Sequence, residues 1–104
     1  MKLLFAGALS AVHLAVVPGA VAPGAAVKVV GNAGTCPAGN VVTAISAAFP
    51  GHAFGMGTLT GRVVTGGAFT IRGHVRKGLK AGRYTVTARC GGGNFGVTAF
   101  VRIR

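Results

Sequence analysis

Residues 83–90 read Arg83-Tyr84-Thr85-Val86-Thr87-Ala88-Arg89-Cys90 and alternate without a break. In an extended chain successive side chains point to opposite faces. Tyr84, Val86, Ala88 and Cys90 therefore line one side, while Arg83, Thr85, Thr87 and Arg89 line the other. That pattern predicts a strand with one face on a core and the other in water. The alternation recurs upstream, where Phe69, Ile71 and Val75 interleave with Thr70, Arg72, His74 and Arg76. It recurs downstream, where Val97, Ala99, Val101 and Ile103 interleave with Thr98, Phe100, Arg102 and Arg104.

Working outward from these three strands, residues 26–31, 41–49 and 58–64 have weaker alternation, and residues 14–17 form a candidate first strand, which makes six or seven in all. Residues 41–49 have some helical character, but their β-branched side chains and the Pro50-Gly51 stop favour a strand. Pro18, Pro23 and Pro50 are each followed by Gly, a pairing suited to turns because Pro presets φ and Gly accepts a positive one. Several short alternating strands within about 90 residues predict an all-β fold of two packed sheets.

The chain has 104 residues, enough for one domain, with 11 Lys and Arg, no Asp or Glu and a net charge of +11. Without side-chain carboxylates it builds no glycosidase pair, aspartic dyad, acidic triad or carboxylate cage for Ca²⁺ or Mg²⁺. About half of the residues are apolar, but these are mostly Ala and Val, with six Phe, one Tyr and no Trp. A thin core in so small a domain makes any covalent constraint important to stability.

Lys2 followed by the apolar run from Leu3 to Val17 is patterned as a secretory signal, and Ala20-Val21-Ala22 offers a small-x-small cleavage site. The expected organisation is a signal peptide over residues 1–22, overlapping a first strand from about residue 13, and a β-sandwich over residues 23–104. An uncleaved amino-terminal anchor or a buried first strand is the alternative, and peptide-mass analysis of exported material separates them. The expected location is secreted or on the cell surface. In an oxidising compartment two Cys without CxxC spacing read as a structural bridge between Cys36 and Cys90; two buried free thiols are the alternative.

Val21-Ala22-Pro23-Gly24 with Val27-Lys28-Val29, Cys36-Pro37-Ala38-Gly39 and the Gly82–Gly92 stretch around Tyr84 and Cys90 together resemble bacterial immunoglobulin-like domains of secreted and cell-wall proteins, particularly actinobacterial ones. The likeness covers roughly residues 13–104. It implies an immunoglobulin-like Greek-key β-sandwich of about seven strands, one disulfide joining Cys36 to Cys90, and a surface or extracellular module without catalysis. The chain departs from the pattern in its apolar first strand and its missing acidic residues. Antibody-type domains place a corner Tyr two residues before the second Cys, where this chain has Ala88, so Tyr84 is not expected to take that role.

Residues 73–78 imitate a phosphate-loop spacing, but Leu79 stands where Lys is required. The stretch from Gly55 to Gly61 has one residue too many for a dinucleotide fingerprint, and Ala44-Ile45-Ser46 lacks the glycines of a nucleophile elbow. His13, His52 and His74 match no zinc spacing. No catalytic, metal or cofactor-binding residue is assigned, and the chain is read as a non-enzyme without cofactors.

The basic residues carry what functional content there is. Arg76, Lys77, Lys80 and Arg83 crowd the connection between two predicted strands, and strand parity places Arg72, Arg89, Arg102 and Arg104 on outward faces. Phe100 stands among them. These eight cations form the candidate anion-binding patch, with anionic cell-wall polymer or polysaccharide as the expected nonspecific partner. No motif for specific nucleic-acid recognition is present, membrane contact is expected only through an uncleaved signal, and the sequence fixes no oligomeric state. The expected function is an exported structural or interaction module at the bacterial surface. The alternative is a cationic secreted effector acting on an anionic envelope or nucleic acid, and a purely solubilising charged surface is the plainest explanation of the same residues.

Overall fold

A computed structural model describes residues 12–51, 56–91 and 93–104. Among them there is no helix, and nine strands follow in chain order. They are β1 (His13–Val17), β2 (Ala20–Val21), β3 (Ala26–Asn32), β4 (Val41–Ser46), β5 (Gly57–Arg62), β6 (Ala68–His74), β7 (Gly82–Cys90), β8 (Gly93–Asn94) and β9 (Ala99–Ile103). The strands form two sheets, one three-stranded in the order β1-β3-β6 and one six-stranded in the order β2-β9-β7-β4-β5, with β8 paired to the end of β7. Every pairing is antiparallel except that of β2 with β9, which is parallel.

The three strands read from strict alternation are present, with β6 ending at His74 and β9 confined to Ala99–Ile103. Phe69, Ile71, Val86, Ala88, Ala99, Val101 and Ile103 are buried, and Thr70, Arg72, Arg83, Thr85, Phe100 and Arg102 are exposed. The weaker strands are present with shifted bounds. Residues 41–49 stop being a strand at Ser46, where the buried Ser46 hydroxyl accepts from the Ala48 amide at 3.1 Å and the Phe49 amide donates to the Ser46 carbonyl at 3.1 Å. This side-chain turn competes with the ladder and swings Phe49 into the core, where it is fully buried.

Small side chains let the sheets close up along one side. An added Cβ on Gly61 of β5 would stand 2.8 Å from Ile71 of β6, and one on Gly73 of β6 would stand 2.5 Å from Leu59 of β5. Each glycine thus makes room for a large apolar residue of the opposite strand, an approach that only glycine allows. The core they help to close is built from Val29, Val42, Ile71, Val86, Val101 and Ile103, each at most 1% exposed.

Cys36, in the connection leaving β3, is bonded to Cys90 at the end of β7, with Cα atoms 6.4 Å apart and the two positions separated by 54 in sequence. The bridge ties the two sheets together at one end, and such a bond marks an oxidising environment. The Tyr84 hydroxyl donates to the Lys80 carbonyl at 2.8 Å and ties the start of β7 to the connection before it.

Residues 13–21, which the sequence assigns to the signal, contribute β1 and β2, with Val16 and Val21 in the core. Lys2, the apolar run as far as Ala11, His52 and Gly92 lie outside the described residues.

Candidate anion-binding end

The strand registers give the sandwich two distinct ends. Ala26 pairs with His74, Val17 with Lys28 and Ile103 with Gly82, so β1, β6 and β9 finish where β3 and β7 begin. The opposite end gathers Asn32, Val41, Arg62, Ala68 and Cys90. Among the described Lys and Arg residues, only Arg62 and Arg89 lie at that disulfide end. Lys28, Arg72, Arg76, Lys77, Lys80, Arg83, Arg102 and Arg104 all lie at or within three residues of the other.

This cationic end contains two like-charged cross-strand pairs. Arg83 stands directly opposite Arg102 on the outer face of the six-stranded sheet, and Lys28 stands directly opposite Arg72 on the outer face of the three-stranded one. Like charges so placed destabilise a sheet, and no Asp or Glu exists in the chain to offset them. The Arg83 guanidinium lies 4.3 Å from the centroid of the Phe100 ring. That stack sits on the diagonal between neighbouring strands.

Not all of the predicted patch is free to meet a ligand. Arg76 donates from Nε at 3.1 Å and from Nη2 at 3.0 Å to the Ala47 carbonyl, which clips the β6–β7 connection to the turn after β4. Arg104 donates from Nη2 to the Ala20 carbonyl at 3.1 Å and so fastens the carboxyl-terminal strand to β2. Arg62 acts similarly at the other end, donating from Nη1 to Gly39 at 2.8 Å. With no side-chain carboxylates in the chain, these guanidinium groups use backbone carbonyls as acceptors.

The structure therefore divides the eight predicted cations. Arg83 and Arg102 come together on one face, Arg72 lies on the opposite face, Arg76, Lys77 and Lys80 occupy the connection between the two, and Arg104 is fastened to β2. Arg89, opposite Thr43, belongs to the disulfide end. The sequence reading omits Lys28. Its outward direction was legible from its place between Val27 and Val29, but its apposition to Arg72 depends on a pairing between strands about 40 residues apart.

No protein-family model matches the chain, and no curated protein matches it. Among solved structures it is similar to the Pseudomonas fluorescens alkylpurine DNA glycosylase AlkC bound to DNA containing an abasic site analog, at 22% identity and a TM-score of 0.53. The match covers 88% of this chain and 29% of the glycosylase chain. At that identity the likeness is one of fold alone. The chain spans well under a third of that enzyme's length.

Proposed function

We propose that the chain is an exported, non-catalytic immunoglobulin-like module of the bacterial surface that contacts anionic cell-wall polymer through its cationic end. The observation that carries this reading is the one-sided placement of charge. Eight cations stand at one end, two pairs of them directly apposed across strands, in a chain without carboxylates. Such an end attracts polyanions at long range, and salt screens the attraction.

The fold side of the proposal draws on topology. The orders β1-β3-β6 and β2-β9-β7-β4-β5, the parallel β2–β9 pair and the inter-sheet disulfide all fit an immunoglobulin-like Greek key. The oxidised cysteines fit secretion or display on the cell surface.

Binding to poly(glycerol phosphate), measured over a range of salt, tests the functional side. Lys77→Gln with Lys80→Gln is expected to weaken binding and to lower the slope of log affinity against log salt by about 1 for each lysine. Arg62→Gln at the far end is expected to leave both nearly unchanged. Equal effects from the two variants would reduce the cationic end to diffuse net charge, and duplex DNA bound more tightly than the polymer at the same salt would redirect the reading to nucleic acid.

A further inference from the structure

The outer face of the three-stranded sheet holds a groove of about 280 Å³ at the cationic end, with an almost wholly apolar lining that includes Val17, Pro18 and Ala26 together with Lys28, Arg72 and His74. Strand register explains its make-up. Val17, Lys28 and Arg72 stand abreast across β1, β3 and β6, with Ala26 and His74 in the next rank. Val17 keeps 45% of its surface exposed. Long cationic side chains lay apolar stems along such a floor while their charged heads stay in water. Among the described residues neither Lys28 nor Arg72 has a hydrogen bond or ion pair within the chain.

An apolar trough beside two unpartnered, directly apposed cations matches a ligand with an anionic head and a short hydrocarbon tail. We propose that this groove binds an alkyl phosphate, the phosphate bridging Lys28 and Arg72 and the first methylenes of the chain lying against Val17, Pro18 and Ala26. A dianionic head relieves the repulsion built into the Lys28–Arg72 pair. The tail covers apolar surface that water otherwise wets. A bare phosphate uses only half of this site, and a neutral alcohol only the other half. The site draws Lys28 and Arg72 from the cationic end proposed to meet the polymer, and Lys77 and Lys80 lie outside it.

The test is an NMR titration of the intact oxidised chain with monomeric butyl phosphate, methyl phosphate and butanol. Butyl phosphate is expected to bind about tenfold more tightly than methyl phosphate, as burial of roughly two methylenes gives, and to shift the amides of Val17, Lys28 and Arg72. Butanol is expected to produce no saturable shift. Arg72→Gln, at an exposed position, is expected to weaken both phosphates, whereas Val17→Thr, equally exposed and close in shape, is expected to weaken butyl phosphate and spare methyl phosphate. Equal affinity for the two phosphates, or a Val17→Thr chain that binds both as before, overturns the proposal. So does a response to phosphatidylglycerol vesicles with none to monomeric butyl phosphate, which assigns the face to a membrane surface and not to a single amphiphile. Retention of the Lys77→Gln, Lys80→Gln chain on poly(glycerol phosphate) is measured beside these titrations, so loss of the polymer contact is read independently of the groove.

Discussion

Where β7 ends, Cys36 and Cys90 are covalently joined and the Phe95 ring meets Phe69 edge-on at 5.7 Å. Where β7 begins, Tyr84, Arg76 and Arg104 hold neighbouring segments through hydrogen bonds to carbonyls, and four further cations stand apposed in pairs. One end is thus stabilised by a covalent bond and aromatic packing and carries little charge. The other accumulates charge that works against folding. The comparison teaches that a thin Ala- and Val-rich core carries a repulsive end when constraint is supplied at the other, and the repulsive end is the one proposed to meet an external anion.

The largest expected effect comes from removing the amino-terminal strands that brace the cationic end. A chain begun at Pro23 loses β1 and β2, stripping Val29 and Ile103 of their neighbours at a sheet edge, and is expected to lose cooperative unfolding in urea. If it unfolds with the full chain's midpoint, β1 and β2 are dispensable and the cationic end does not depend on them.

Breaking the other end comes next. Reduction, or Cys36→Ala with Cys90→Ala, releases a loop of 54 residues and is expected to cost about 4 kcal/mol on the chain-entropy account. Urea midpoints of the oxidised and reduced protein measure it. A loss under about 1 kcal/mol would remove the asymmetry between the ends.

A packing substitution on the inner side of β6, within the cationic end, separates packing from charge. Gly73→Ala drives a methyl group into Leu59 and is expected to cost about 1–3 kcal/mol by overpacking, with polymer binding at the cationic end retained in the folded protein. Thermal denaturation together with a binding isotherm checks both halves of that statement.

The smallest expected effect is that of acid. Acid denaturation largely reflects protonation of carboxylates that are ionised and paired in the native state, and here only the chain terminus supplies one. Thermal midpoints at pH 5 and pH 2 are expected to agree within a few degrees at constant chloride. A steep fall over that interval contradicts the account of a fold without carboxylate pairs.

Much of this architecture was legible before any coordinates. Alternation placed Val86, Ala88, Val101 and Ile103 inside and Arg83 and Arg102 outside, because a period of two is a local property of the chain. Three features escaped it. β2 and β8 have two residues each, too few for any period to show. Residues 47–49 left the strand because one Ser hydroxyl captured a backbone amide, an event no alternation records. The gathering of cations at one end also escaped: the crowding of Arg76, Lys77, Lys80 and Arg83 was local and visible, whereas the Lys28–Arg72 and Arg83–Arg102 pairs required strand registers to be known.

The central claim, that one end of this sandwich is the binding end, is tested most directly by mapping contacts with a short glycerol-phosphate oligomer on the amide resonances of the oxidised protein. The account predicts shifts concentrated in residues 26–28, 72–83 and 102–104, fading as salt rises, with the amides around Cys36, Arg62 and Cys90 unmoved. Shifts of similar size at both ends would contradict it.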